Sequence, residues 1–460
     1  MLQGQNGGGE RRLSGWSAPC FGALALLVAG YACTSTSSSP GSGGGGAGSG
    51  GEAGAEDQGG RSGGGSGPTA GSGAEGGEVS EGGNSSGGDS GDSGDSGDSG
   101  NGGMAGTPSG GAGGEGGEGA PECVSPEVLC GSTCTATASD RDHCGACDHA
   151  CLGGTCNDGR CQPVTLAVNR GRLFMVEVVG DYVYYGGDGV AVRRVNKDGT
   201  GDIVLAPAVS GAPVEEREWV YDWAKTPTAI VWANDWVHTG VRGCALPACA
   251  GSVQVYAAAT TNVRGVAYAA STNTLYFESD TTIRVRAWPS GTITNFATGQ
   301  GFVGHMTTDA NFLYWSSTVP MGASATVSIR KKGLTAGNVV DLATGRNNVW
   351  GSLAVRGNSI YWSEGDNVHR APLPNGIGAN APTVIGTAGR AARHLTVDAT
   401  HVYWVAYGVG VGTVQRCPLA GCSGAPEQLA ITAGAPWGIT SDDEAVYWVT
   451  EGGAVEKIAK

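Results

Sequence analysis

The sequence predicts an all-β protein organised around a seven-bladed β-propeller, and two observations support this prediction. One is a triplet of an apolar residue and two aromatic residues, such as Val402-Tyr403-Trp404, which returns along the C-terminal two thirds of the chain. The other is that each triplet lies among short runs rich in β-branched and aromatic residues, separated by Gly, Pro, Asp and Ser. Such runs are typical of strands joined in hairpins.

The triplet occurs seven times at nearly regular spacing. Its last residues stand at positions 185, 232, 277, 315, 362, 404 and 448, which gives steps of 47, 45, 38, 47, 42 and 44. The copy that ends at Trp232 is degenerate, because Ile-Val-Trp replaces the aromatic pair. A period near 44 with four predicted strands per unit indicates propeller blades.

The two ends of the repeat region are predicted to meet in one blade. The last unit stops after its third run, VEKIAK at 455–460, while PVTLAVN at 163–169 looks like the fourth run of the preceding unit, PEQLAIT at 426–432. We therefore predict that this N-terminal run forms the outer strand of the last blade, which closes the ring and removes an exposed edge. The Tyr and Trp of each triplet should then pack against different neighbouring blades.

The repeat unit resembles the YWTD propeller repeat of LDL-receptor-type proteins. It reads as an apolar strand with Asp, a turn, the aromatic triplet, I-x-R and a Gly turn, and the resemblance covers residues 164–460. After the aromatic pair the chain has SS, SE, VA or VT where that family has Thr-Asp. The family has six units, so a six-bladed ring is the alternative to seven blades.

The N-terminus predicts export. Two arginines, Arg11 and Arg12, precede the apolar run FGALALLVAG at 21–30, which is too short to span a bilayer but suits a signal peptide. The run ends at GYAC and resembles a bacterial lipoprotein signal, in which the cysteine becomes acylated. We expect a signal peptide at 1–33, lipidation of Cys33 and an outer-membrane or cell-surface location, with a periplasmic or secreted protein as the alternative.

Residues 34–122 predict a disordered tether. They contain 37 glycines among 89 positions, together with thirteen carboxylates and one arginine, so they hold most of the net charge of −15. Such a composition buries too little apolar surface to offset its ordering entropy. The remaining chain is close to neutral and has no basic stripe, which argues against a nucleic-acid partner.

Residues 123–161 predict a small module held together by disulfides. Eight cysteines in 39 residues leave no room for a conventional core, and an exported chain favours oxidation. They are Cys123, Cys130, Cys134, Cys144, Cys147, Cys151, Cys156 and Cys161. Zinc is the alternative, because Cys144 and Cys147 form a CxxC beside His143 and His149. The run with DRDHCGAC and the closing pattern from Cys151 to Cys161 resembles the cysteine-rich modules of stigma-specific proteins.

Two further cysteine pairs lie inside the repeat region at 163–460. Cys244 and Cys249 follow the third run of unit 2, and Cys417 and Cys422 follow the third run of unit 6. Both pairs fall in predicted hairpin turns and are close enough to bridge. We predict two structural disulfides, because a redox role would favour the spacing CxxC.

One face of the predicted ring carries the candidate binding residues. The loops from strand 4 to strand 1 and from strand 2 to strand 3 open on the same mouth of the channel, where arginines, acids and aromatic residues are mixed. The candidates there are Arg264, Trp236, Trp350, Arg393, His394, Trp437 and His305. A rim of solvated charges is the simpler interpretation of the same residues.

Two of these candidates stand at equivalent positions in the repeat. His305 and His394 each lie ten residues before the Trp of their unit, where both side chains could face the channel. We expect no third ligand or carboxylate at that offset. Within the repeat region at 163–460 no GxSxG, HExxH or phosphate loop is present, so the sequence predicts no catalytic residue, no metal and no cofactor.

The main functional hypothesis is a non-enzymatic surface protein, expected to be a monomer. Its propeller would be a binding scaffold for an unidentified protein or glycan, anchored to the membrane through the N-terminal lipid. The alternatives are an exported propeller enzyme of the lyase or hydrolase type with a site at the channel mouth, and a purely structural envelope component.

Overall fold

The computed structural model describes residues 122–460 except 188–189, 191, 207–219, 235–239, 248, 250–252, 259–262, 320–325, 348, 350 and 374–381. The signal segment, Cys33 and residues 34–121 of the tether therefore lie outside the described residues. Within the described ranges no helix is both long enough and apolar enough to pass through a bilayer.

The C-terminal part of the chain is a seven-bladed β-propeller, as the repeat predicts, and the six-bladed alternative is wrong. Seven four-stranded antiparallel sheets pair their strands in sequence order, apart from the closing strand of the last. Blade 1 holds β6 (Leu173–Val179), β7 (Tyr182–Gly187), β8 (Val192–Asn196) and β9 (Ile203–Ala206). Blade 2 holds β10 (Val220–Lys225), β11 (Ala229–Asn234), β12 (Gly240–Ala245) and β13 (Gln254–Ala258). Blade 3 holds β14 (Val266–Ala269), β15 (Thr274–Ser279), β16 (Thr282–Ala287) and β17 (Thr294–Ala297).

The remaining blades repeat this order. Blade 4 holds β18 (Phe302–Thr308), β19 (Phe312–Val319), β20 (Thr326–Gly333) and β21 (Val340–Arg346). Blade 5 holds β22 (Leu353–Arg356), β23 (Ser359–Glu364), β24 (Asn367–Pro372) and β25 (Thr383–Thr387). Blade 6 holds β26 (Ala392–Val397), β27 (His401–Ala406), β28 (Gly412–Pro418) and β29 (Glu427–Thr432). Blade 7 holds β30 (Pro436–Ser441), β31 (Ala445–Thr450), β32 (Val455–Ala459) and, as its outer strand, β5 (Val164–Ala167).

The predicted closure of the ring is confirmed. Strand β5 pairs antiparallel with β32, with Ala167 opposite Val455 and Val164 opposite Lys457. The backbone N–H of Arg170 donates to the carbonyl of Gly453, which continues the junction beyond the strand. The last blade therefore combines both ends of the repeat region, and its third strand is not left as an open edge.

The aromatic pairs form the contacts between blades. Tyr403 packs in a cluster with Trp448 of blade 7, while Trp404 packs with Tyr361 of blade 5. Both residues of blade 6 are almost completely buried. Because successive side chains of a strand point to opposite faces, one Tyr-Trp pair joins a blade to both neighbours.

A carboxylate after the first strand anchors the Tyr of three blades. Tyr403 Oη donates to Asp398 Oδ2 at 2.9 Å, and the other oxygen of Asp398 accepts the backbone N–H of His401 at 2.8 Å. The same arrangement joins Tyr314 to Asp309 and Tyr447 to Asp442. The aspartate thus fixes both the turn and the aromatic ring, which gives the Asp of the repeat a structural role.

The disulfide-rich segment packs directly on the propeller. It contains β1 (Val128–Cys130), β2 (Thr133–Thr135), β3 (Cys156–Asn157) and β4 (Arg160–Cys161). The four disulfides are Cys123–Cys134, Cys130–Cys147, Cys144–Cys156 and Cys151–Cys161. Cys144, Cys151 and Cys161 share an apolar cluster with Trp448 and Ile458. His149 Nε2 also lies 2.8 Å from the carbonyl oxygen of Lys460, so this segment is bound to blade 7 by polar and apolar contacts.

Disulfides Cys244–Cys249 and Cys417–Cys422 lie in the repeat region at the third strands of blades 2 and 6. The described cysteines are thus all in disulfides. The sulfur atoms of Cys144, Cys151 and Cys156 lie within 4.8 Å of one another, but each belongs to a disulfide and none is a thiolate ligand. The zinc alternative for this segment is therefore not what the structure shows.

Candidate functional site

The first strand of each blade faces the central channel, and in five blades it contains a β-bulge near its start. The register shifts fall in β6, β10, β18, β26 and β30. A bulge interrupts the ladder and re-aims the side chains around it. His305, His394 and Trp437 lie within these irregular segments, and Asp222 directly follows the one in β10.

Three polar side chains meet across the channel. His305 Nδ1 of blade 4 lies 3.2 Å from Asp222 Oδ1 of blade 2. The ring of His305 also touches that of His394 in blade 6, with centroids 4.7 Å apart and ring planes at 83°. Blades 2, 4 and 6 are not neighbours in the ring, so these contacts connect opposite sides of the channel near its mouth.

The carboxylate of Asp222 is fixed by the backbone around it. Oδ1 accepts the N–H of Trp223 at 3.0 Å, and Oδ2 accepts the N–H of Val266 in blade 3 at 3.1 Å. Asp222 is only 4% exposed. Two backbone N–H groups therefore hold this buried carboxylate in place beside Nδ1 of His305.

His394 is the most enclosed histidine of this cluster. It is 5% exposed, and burial, together with the nearby His305 and Arg393, lowers its pKa well below the usual value. Its imidazole is therefore neutral at pH 7 and offers a lone pair.

An aromatic and cationic cluster lies beside His394 at the channel mouth. Trp437 is its centre: the Arg393 guanidinium lies 4.5 Å from the Trp437 ring centroid, and the Phe174 ring lies 4.8 Å away. The Tyr407 ring meets the Trp437 ring edge-on, with the two centroids 6.0 Å apart. The Arg393 guanidinium also lies over the Tyr407 ring, 4.7 Å from its centroid. We call Phe174, Arg393, Tyr407 and Trp437 the mouth cluster.

Glu451 ties the mouth cluster to the loop before blade 1. Its Oε1 forms an ion pair with Arg172 at 3.2 Å, and its Oε2 accepts a hydrogen bond from Tyr407 Oη at 3.5 Å. Arg172 in turn lies over the ring of Phe174 at 5.2 Å. The mouth therefore offers aromatic surface and both signs of charge within a short distance.

The structure brings four of the seven predicted binding residues together. His305, His394, Arg393 and Trp437 form one continuous group at the mouth. The Arg264 guanidinium lies 4.4 Å from the ring centroid of Phe302. Trp236 and Trp350 lie outside the described residues.

The expectation that no carboxylate shares the offset of the two histidines is wrong. Asp222 lies ten residues before Trp232, as His305 and His394 lie ten residues before their own Trp. The spacing was thus visible in the sequence, but it falls in the degenerate second unit. Phe174 and Tyr407 carry no comparable signal, because their approach to Trp437 depends on the bulges and on a loop between strands 2 and 3.

A separate cavity lies where the disulfide-rich segment meets the propeller. It has a volume of about 260 Å³, and its walls include Arg160, Arg416, Leu429 and Lys460. Arg416 is paired with Glu427 at 2.8 Å and Lys460 with Asp398 at 2.6 Å. Most of its charge is therefore neutralised locally, and the cavity is remote from the channel mouth.

Comparison with known proteins finds matches among solved structures only. No family model matches the chain, and no curated protein does. Virginiamycin B lyase from Staphylococcus aureus is 14% identical with a TM-score of 0.50, over 65% of this chain and 98% of that chain. A catalytically inactive variant of that lyase with quinupristin is 13% identical with a TM-score of 0.51 over the same shares. A chain of a nidogen/laminin complex is 13% identical with a TM-score of 0.44, over 56% and 97%. The likeness to the lyase shows the propeller fold alone.

Proposed function

We propose that this chain is a non-enzymatic binding protein of the cell surface, and that the mouth cluster is the centre of its recognition site. One observation carries this proposal. A half-buried tryptophan stands at the channel mouth in contact with an arginine and two further aromatic rings. Trp, Tyr and Arg in this arrangement are the side chains that dominate binding energy at protein surfaces.

The ordering of the cluster supports a role in binding. Arg393 is held between Trp437 and Tyr407, and its backbone carbonyl accepts a hydrogen bond from Ser363 Oγ at 2.5 Å. Tyr407 is held by Glu451. Because these side chains are already immobilised, they would lose little conformational entropy when a ligand binds. Flat aromatic surface and paired charges suit a protein loop or a glycan.

The proposed organisation places this site away from a membrane. A signal peptide at 1–33, a lipid on Cys33 and the glycine-rich tether at 34–122 would precede the disulfide-rich module at 123–161 and the propeller at 163–460. The resemblance of these two parts to stigma-specific modules and to YWTD repeats belongs to the same proposal, since both kinds of module occur outside the cytosol.

Lipid attachment has a direct test. Cells that express the full chain are labelled with a palmitate analogue, and the Cys33→Ala variant serves as the control. We expect label in the natural protein and none in the variant. Equal labelling of both would contradict an anchor at Cys33, and export without label would favour a secreted protein.

The recognition site is tested with the full chain, because the disulfide-rich segment packs on blade 7. The protein is screened on a glycan array and against purified envelope proteins, and affinity is then compared for Trp437→Ala and Tyr268→Ala. Tyr268 is also half-buried but lies near the other end of the channel. We expect the first variant to lose at least about tenfold in affinity and the second to bind normally. Equal binding by both variants would contradict the proposal.

A lyase or hydrolase is the second candidate, and the contact between Asp222 and His305 favours it. A carboxylate that orients a histidine is a common arrangement for general-base catalysis. Substitution of His305 by Gln in a folded protein should then abolish turnover. A turnover that survives this change, or ligand binding without any turnover, favours the binding protein.

A further inference from the structure

The loop between strands 2 and 3 of blade 6 presents two valines to solvent at the channel mouth. It reads YGVGVG at 407–412, and Val409 is 91% exposed while Val411 is 46% exposed. No other large apolar side chain of the described residues is as exposed as Val409. Single apolar side chains are common on protein surfaces. Here, however, Tyr407 of the same loop belongs to the mouth cluster, so the valines stand beside existing aromatic surface.

Hydrogen bonds and close packing hold this loop in place. Arg390, in the connection from blade 5, donates from Nη1 to the Val411 carbonyl at 2.7 Å. The N–H of Gly412 donates to Thr432 Oγ1 at 3.2 Å. A Cβ on Gly408 would collide with the Arg390 guanidinium and with the Val411 carbonyl, so this close approach requires glycine. Because the loop is already ordered, its valines would lose little conformational entropy when a ligand covers them.

Arg390 adds a positive charge beside the valines. It is exposed, and the bond to the Val411 carbonyl is the one hydrogen bond or ion pair that its side chain makes among the described residues. A carbonyl accepts one N–H without neutralising the guanidinium. The other N–H groups of Arg390 can therefore bind the two oxygens of a carboxylate. This part of the rim is complementary to a ligand that carries a carboxylate next to an apolar group.

This combination of side chains favours a polypeptide ligand over a glycan or a membrane. The hydroxyl groups of a sugar need polar partners when water is removed, and the side chains of Val409 and Val411 supply none. A membrane of anionic lipid is recognised by clusters of Lys and Arg, whereas Arg390 is a single cation. A polypeptide can place an aliphatic or aromatic side chain on the valines and an Asp or Glu on Arg390.

We propose that Val409, Val411 and Arg390 form the outer part of the recognition site, and that its ligand is an acidic and apolar segment of a polypeptide. An apolar side chain of the segment covers the two valines, and a neighbouring carboxylate pairs with Arg390. This inference rests on the binding function proposed above and narrows its ligand to a polypeptide.

The ligand class is tested by selection from a library of random peptides displayed on phage, with the full chain as bait. We expect enrichment of peptides that combine Asp or Glu with Leu, Ile, Val or Phe. The affinity of a selected peptide is then measured by fluorescence anisotropy. The double variant Val409→Ser and Val411→Ser should bind it at least about tenfold more weakly. Val384→Ser, which changes a valine 52% exposed on the outer strand of blade 5, should bind normally.

The carboxylate contact has its own variants. Arg390→Gln should weaken binding of the acidic peptide by about tenfold, whereas Arg390→Lys keeps the charge and should retain most of the affinity. Arg390→Glu should bind a peptide in which Lys replaces the acid better than it binds the original peptide. A role of Arg390 confined to holding the loop would not produce this exchange. Normal affinity of Arg390→Gln for the acidic peptide would contradict the contact.

The remaining outcomes separate this inference from the function on which it rests. Selection of no peptide or of peptides without acids, or binding only to a glycan array or to vesicles of phosphatidylglycerol, would overturn the polypeptide assignment. Peptide binding that is lost in Trp437→Ala but normal in the double valine variant would also overturn it and leave the binding function standing. Normal binding by both variants would contradict the mouth as the recognition site.

Discussion

Glu177 is a carboxylate on the strand that lines the channel in blade 1. Burial raises its pKa to about 7, and the positive charge of Lys225 only partly opposes this. Between pH 4.5 and pH 7 the Glu177 carboxyl is therefore ionised in the unfolded chain but still largely protonated in the folded protein. Its charged form costs folding free energy, in contrast to Asp398, whose burial is outweighed by Lys460 and by backbone N–H groups that hold its pKa low.

The effect of Glu177 on stability has a definite sign. Its pKa in the folded state lies above the unfolded value of about 4.5, so the stability it contributes is complete below pH 4.5 and is lost as the pH rises through 7. Glu177→Gln should remove this loss and be more stable than the natural protein at pH 8, on the order of 1–3 kcal/mol. The check is the free energy of unfolding of both proteins from pH 4 to pH 9. Parallel curves would show that Glu177 does not titrate as described.

Single residues also show where sequence reasoning reaches its limit. The offset of ten residues before each Trp identifies His305, His394 and Asp222 together, because it depends only on the regular length of the first hairpin. The approach of His305 to His394 depends instead on side-chain directions after a bulge, which no spacing encodes. The mouth cluster combines residues from blades 1, 6 and 7, and only the closed ring brings them together.

The Tyr-Trp pair is the element that joins one blade to the next. Trp404 lies in an apolar cluster with Tyr361, whereas Tyr403 faces blade 7 and donates a hydrogen bond to Asp398. The two neighbours in sequence therefore contribute differently. The tryptophan fills volume between blades, and the hydroxyl of the tyrosine adds one polar contact to a turn.

Two substitutions in this pair separate packing from hydrogen bonding. Trp404→Ala should destabilise the protein by about 3–5 kcal/mol because it leaves a cavity between blades. Tyr403→Phe should cost only about 0.5–1.5 kcal/mol, since Asp398 keeps its bonds to Lys460 and to the turn. Chemical denaturation of both variants measures the difference. Similar losses in both would mean that the hydroxyl, and not the packed ring, joins the blades.

The regular part of each blade could be predicted from the sequence, and the irregular part could not. Strand order, the four-strand unit and the packing of Tyr and Trp follow from the alternation of apolar residues and from the turn residues. The bulges in β10, β18 and β26 fall where polar residues interrupt the alternation of apolar side chains. In the sequence, such an interruption looks the same as the end of the preceding loop. These bulges place the histidines in the channel.

At the scale of the whole molecule, the disulfide-rich segment and the last blade form one packed unit. Cys151 and Cys161 lie in the same apolar cluster as Trp448 and Ile458, and His149 is within hydrogen-bond distance of the Lys460 carbonyl. The sequence separates this segment from the propeller by its composition but gives no sign of this contact. The closure of the ring by β5 was predictable because the missing fourth run of the last unit has its counterpart at 163–169.

This packing predicts that the disulfide Cys151–Cys161 stabilises the propeller more than the disulfide Cys123–Cys134 does. Replacement of both Cys151 and Cys161 by Ser should lower the free energy of unfolding by about 2–5 kcal/mol and expose blade 7 to protease. The matched control replaces Cys123 and Cys134, which lie outside the cluster shared with the propeller. Limited proteolysis and chemical denaturation of the two variants give the comparison. Equal damage to blade 7 in both would contradict a specific role of this contact.

The binding function proposed for this protein requires that a ligand bind at the mouth of the closed seven-bladed ring. Hydrogen exchange of the full chain, with and without the ligand found in the binding screen, tests this most directly. We predict slower exchange in residues 168–172, 388–394, 407–411 and 433–437 around the mouth, and unchanged exchange in the turns at 309–311, 398–400 and 442–444 at the other end. Protection confined to those turns or to the disulfide-rich segment would contradict it.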